Sequence, residues 1–178
     1  MSESRPSASA INAQLPSLPY RDTKAVGAAD FYMAINATFR FILDRLGMVG
    51  LRRYWADIGT KYYAPVSTIW KTRGLEGVGA YWRDFFKAEP GADVEVAEDK
   101  EQVVLTVNVC PAIQHLRKHK REIVSCFCQH CYYVNEAIAT PAGLTVRVEG
   151  GNGSCRQVFR HRAPGIPAQD FSKIREAA

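Results

Sequence analysis

At 178 residues and 47% hydrophobic content, the chain is long enough to bury one core of ordinary size without disulfide staples. Its five cysteines are an odd number crowded between Cys110 and Cys155, which excludes a secreted disulfide framework and points to thiols that bind metal or react. The net charge of +5 is dispersed; its densest run, Arg117-Lys118-His119-Lys120-Arg121, has no interleaved aromatics and reads as a solvated helix end, so no nucleic-acid partner is expected.

Met1 to Leu18 is a polar Ser/Ala/Pro segment without a positive start and an apolar run, so a cytoplasmic location is expected. Even Phe31 to Leu43 is interrupted by Asn36 and Arg40, so no membrane span is expected. Residues 1–25, with Pro6, Pro16 and Pro19 and no periodicity, read as a flexible or surface-draped arm. A single domain is expected over 26–160, followed by a tail over 161–178 that carries at most a short helix.

From Ala28 to Leu46 the apolar residues Phe31, Ile35, Phe39, Ile42 and Leu46 recur at helical spacing, and Gly47 is a natural stop. The spacing predicts a second helix from Val49 to Tyr63, a third over Val66 to Thr72 and a fourth from Leu75 to Lys87, closed by Pro90 and Gly91. The period then changes to two. Asp93 to Ala97 alternates, Asp99-Lys100-Glu101 is polar, and Val103, Leu105, Val107 and Val109 alternate again, which reads as a β-hairpin.

After Pro111 a helical stretch runs to about Ala139, broken near the basic run. Thr140-Pro141-Ala142-Gly143 makes a turn, and Leu144 to Val148 and Cys155 to Phe159 flank Gly150-Gly151-Asn152-Gly153 as a second hairpin. The order helices-β-β-α-β-β predicts an α+β fold, an N-terminal helical layer packed on an antiparallel sheet.

Counting about 100° per residue from Ile123 places Phe127, His130, Val134 and Ile138 on one apolar face, Cys131 at its edge and Cys128 farther round. A helical i, i+3 pair such as Cys128 and Cys131 brings two thiols within reach of one ion or one substrate. Cys110 ends a strand before Pro111 and Cys155 opens the last strand, so a helix crossing the sheet can bring the four together. Such a cluster suits tetrahedral zinc held by Cys110, Cys128, Cys131 and Cys155; thiol crowding beside a histidine suits a nucleophile equally well. Cysteine also packs as a small hydrophobe, the reading preferred for Cys126. His130 faces inward, and His115 can serve as a base only if the segment after Pro111 folds toward the thiols.

Asn108-Val109-Cys110-Pro111, Cys128-Gln129-His130-Cys131 in a helix, Gly143, and a hairpin ending Gly153-Ser154-Cys155-Arg156-Gln157-Val158-Phe159 together resemble the L-2-amino-thiazoline-4-carboxylic acid hydrolase family. More distantly they resemble 4-vinyl reductase domains. The likeness runs from about Val94 to Phe159, with Cys131 where the hydrolase pattern often has an acidic residue.

The hydrolase resemblance implies opening of a small cyclic amidine or related C–N bond. Cys128 would attack, or a thiolate-bound zinc would activate water, with His130 or His115 moving the proton. The 4-vinyl reductase resemblance implies a small-molecule-binding or sensory domain whose cysteines hold metal or sense redox state. A third expectation is an accessory role, as a homo-oligomer or a subunit of a larger complex.

Overall fold

A computed structural model describes residues 29–178; the N-terminal arm expected over 1–25 lies outside the described residues. Helix α1 runs Phe31–Asp57 and continues through a π-helical turn at Ile58–Tyr62 into α2, Ala64–Ala88. The four predicted helices are present as four segments, because Gly47 (φ 64°) kinks α1 and Gly74 (φ 61°) kinks α2, each with non-helical geometry. Gly47 acts as the stop its sequence position suggests, Gly74 does the same in α2, and the next helical turn follows each at once. Among the described residues no helix is long and apolar enough to cross a membrane.

The hairpin follows with β1 at Asp93–Glu98 and β2 at Gln102–Val109. Helix α3 is Pro111–Lys118, a 3-10 turn occupies Ser125–Cys128, and α4 is Gln129–Ala139. Strands β3, Leu144–Gly151, and β4, Ser154–His161, form the second hairpin. The tail contributes a 3-10 turn at Phe171–Lys173 and a short strand β5, Ile174–Arg175. The fold is α+β, with sheet order β1-β2-β4-β3-β5, antiparallel except for the β3–β5 pair.

Two cores hold the layers together. Trp70 and Val78 of α2 pack on Val103, Leu105, Val146 and Phe159 of the sheet, and the Trp70 and Phe159 rings meet edge to face at 5.5 Å. Such aromatic contacts add about 1 kcal/mol beyond the area they bury. The second core joins Phe39, Leu51 and Trp55 of α1 to Ile113, Leu116 and Phe127. Cys128 and Val134 touch both cores, so the start of α4 lies at their seam.

Long-range bonds set that position. Buried Asn36 of α1 donates to Glu122 O at 2.8 Å and accepts from Val124 N–H at 3.0 Å. These bonds satisfy backbone groups that a continuous helix would pair internally, and residues 121–124 accordingly run non-helical between α3 and the 3-10 turn. Gly59 lets the π-helical turn press on α4, since a Cβ there would lie 2.5 Å from Val134 O.

Candidate functional site

Strand alternation places Cys155. Phe159, Gln157 and Cys155 point to one face of β4, and the register aligns them with Val103, Leu105 and Val107 of β2, all core residues. On the other side Cys155 is opposite Gly150, which in turn pairs with buried Ile174 of β5. Gly150 has φ 91°, and a Cβ there would lie 2.8 Å from Ser154 O and 2.9 Å from the Cys155 Cα, so only glycine fits beside the thiol.

Cys110 follows β2 directly, and its N–H donates to Gly153 O at 2.8 Å, tying the strand end to the β3–β4 turn. The same turn reaches Cys128: the Asn152 N–H donates to its Sγ at 3.3 Å. Asn152 stands at φ 58°, and its Oδ1 accepts from Arg117 and, at 2.9 Å, from the Ala178 N–H. The glycine-rich turn is therefore a bracket for two of the thiols.

Cys128 is not inside a helix with Cys131. It ends the 3-10 turn and precedes α4, whereas Cys131 is within α4. The helical count from Ile123 fails across that turn but holds within α4, where His130 faces the second core. Its ring packs on Phe127 (5.0 Å) and Phe39 (5.4 Å). His130 Nδ1 lies 2.6 Å from Phe127 O, and a carbonyl can only accept, so Nδ1 carries the hydrogen. Nε2 is then left with its lone pair, 3.7 Å from Cys131 Sγ.

Cys110, Cys128, Cys131, Cys155 and His130 line a single cavity of about 20 Å³, completed by Phe127, Val148, Gly150, Gly151, Gly153 and Ser154. A cavity must offer roughly 10–15 Å³ to hold one water, so this space fits a single ion or water and not a heterocyclic ring. The thiols do not close into a tight set. Among the described residues the grouping whose ligand atoms all lie within 4.8 Å of one another is Asp30, His115 and His119, outside the cavity. A χ1 change moves a sulfur without moving the backbone.

Burial dominates the electrostatics. It pushes Cys110 up to about 11, against the backbone N–H groups of Ile113 and Ala112 at the start of α3 and the Arg117 charge. Burial and the neighbouring Cys131 push Cys128 up to about 12, opposed by the Asn152 N–H and Arg117. Burial carries Cys131 to about 12. Cys155 is raised by burial and by Cys131 and Cys110, opposed by the Gln157 amide at 3.8 Å. Burial lowers His130, so its imidazole is neutral near pH 7. All four thiols thus face N–H groups that favour the thiolate, yet burial outweighs them, and without a cation all four stay protonated at neutral pH.

His115, Cys126, Asn135 and Tyr133 go elsewhere. His115 does not line the cavity: Pro111–Lys118 turns it toward α1, beside Asp30 and His119. Cys126 is buried in the second core, away from the thiol cavity. Asn135 donates to Gln157 at 2.9 Å, and Tyr133 stacks on Trp55 and Phe171, so both hold the fold. Two contributors carry only a weak sequence signal: Asn152, marked by the Asn-Gly step of a left-handed turn, and Arg117, which lies in a basic run that reads as a solvated helix end. Compared with known protein families and with curated proteins, the chain matches none.

Proposed function

We propose that this chain carries a thiolate metal centre, for zinc in the first instance, held by Cys110, Cys128, Cys131 and Cys155, with His130 Nε2 as the alternative donor. The observation that carries this reading is the single cavity of about 20 Å³ lined by all five side chains, with the four thiols drawn from separate elements and His130 beside Cys131 on α4. Its size admits an ion. The donor set suits zinc, which takes thiolate and imidazole ligands. The Phe127 carbonyl on His130 Nδ1 and the N–H donors around the sulfurs are the outer partners that orient such ligands.

What a bound zinc supplies here is ionisation of thiols that burial otherwise keeps protonated, and a cross-link among the β2 end, the turn before α4, α4 and β4. Four protein thiolates fill a tetrahedral shell, so the centre is structural or sensory, in keeping with the resemblance to 4-vinyl reductase domains. The test is zinc analysis of the full chain with thiol titration. One zinc per chain is expected, with uptake weakened about tenfold or more in Cys128→Ser and in Cys155→Ser. A protein that neither retains nor takes up zinc, with its thiols reacting independently, overturns the reading.

A second reading is the hydrolase implied by the first resemblance. It is favoured by the Asn152 N–H on Cys128 and by the uncommitted Nε2 of His130. In it the Cys128 sulfur bonds to the amidine carbon, and the C–N bond breaks with its electron pair on nitrogen. His130 passes the thiol proton to that nitrogen, and water then cleaves the S–C bond to free Cys128. The cavity must widen to admit a ring, and His130 contacts Cys131 rather than Cys128. Fast alkylation of Cys128 alone, blocked by a small cyclic amidine, separates this reading from a metal centre, in which the four thiols are protected together.

A further inference from the structure

His115 and His119 stand one turn apart on α3 and at its end, the spacing that puts two imidazoles on one helix face. Their ring centroids are 4.4 Å apart. Asp30, the residue before α1, comes to the same place, with Oδ1 3.4 Å from His115 Nε2. One donor atom from each of the three lies within 4.8 Å of the other two.

A second observation bears on what this group is for. His115 Nε2 is buried and has no hydrogen-bond partner among the described residues; the Asp30 oxygen is at ion-pair distance without hydrogen-bond geometry. A buried imidazole nitrogen ordinarily has a partner. Here the atom is directed at a carboxylate and a second imidazole, while Asp30 and His119 are exposed and leave the place open to solvent.

We propose that Asp30, His115 and His119 form a separate site for a divalent first-row transition ion, with two nitrogen donors and one oxygen donor. Imidazole and carboxylate together suit zinc, nickel, copper(II) or cobalt(II), whereas the thiol cavity selects softer binding. Three protein donors leave a coordination position for water. Occupation clamps the last turn of α3 to the start of α1, two elements joined otherwise through the second core.

This site does not depend on the thiol centre, and cobalt(II) distinguishes them, because thiolate ligation gives a charge-transfer band that nitrogen and oxygen donors do not. In a titration of the metal-free full chain, one cobalt equivalent is expected to bind without that band. Asp30→Asn and His119→Gln, both at exposed positions, weaken it tenfold or more, and Cys128→Ser leaves it intact. Absence of such an equivalent, or an affinity in both variants equal to that of the unaltered chain, overturns the proposal. Loss of the equivalent in Cys128→Ser overturns the separateness of the two sites.

Discussion

The two ends of α4 treat buried polar atoms differently. Toward the C-terminal end, Glu136 accepts from the Thr145 hydroxyl at 2.9 Å, the Val146 N–H at 2.8 Å and Arg162 at 2.5 Å, with Arg147 at 3.8 Å. Next to it Asn135 bonds Gln157. Toward the N-terminal end, Cys128, His130 and Cys131 face a cavity with two further thiols and an imidazole nitrogen whose nearest polar contact is a sulfur. The first region is a closed network that fixes where α4 lies on the sheet. The second gathers more ligand atoms than the fold itself uses, and that excess is what singles it out as the candidate site.

Removing the network should cost stability and spare the site. Glu136→Ala leaves the Val146 N–H and the buried Thr145 hydroxyl without their acceptor, and an expected loss of about 2–3 kcal/mol is read from urea unfolding. Zinc stoichiometry should not change; a change would show that the two ends are one unit. Gly150→Ala should strike both regions. The added Cβ meets Ser154 and Cys155 backbone at positive φ, costing about 2 kcal/mol in urea unfolding and weakening zinc uptake measured by competition with a chelator.

The thiols give the metal-free protein a pH signature of their own. Cys110 and Cys128 are raised in the folded state from a usual value of 9.0 to about 11 and about 12. Their contribution is therefore full below about pH 9 and is lost as pH rises toward 11–12, because the unfolded chain ionises first. Unfolding midpoints should fall between pH 8 and 10.5 in the metal-free protein and be held up by zinc. His130 is lowered, so on the acid side its contribution is present above about 6.5 and is lost as pH falls. The smallest effect belongs to Cys126→Ala, about 1 kcal/mol or less in the same unfolding assay, with zinc uptake unchanged.

Much of this architecture was legible from local pattern. The alternation at Val103, Leu105 and Val107 and the Gly-Gly-Asn-Gly turn located both hairpins, and Cys110 and Cys155 fell at strand ends for the same reason. What local pattern missed is carried by distant partners. The break between α3 and α4 falls near the basic run, as expected, but its extent to Val124 depends on Asn36, 88 residues away, which takes over that N–H. Cys128 consequently leaves the helix that periodicity assigns it. Strand β5 was hidden because two residues, Ile174 and Arg175, have no period, and they pair only because β3 extends to Gly151. His115 was drawn to the thiols by nearness in sequence, while α3 turns it toward Asp30.

Differential alkylation of the full chain, mapped by mass spectrometry with and without zinc, decides whether the four thiols act as one ligand set. One zinc per chain is expected to protect Cys110, Cys128, Cys131 and Cys155 together, with Cys126 unaffected by the metal. Absence of bound zinc, or protection that leaves any two of the four thiols as reactive as before, would contradict that expectation.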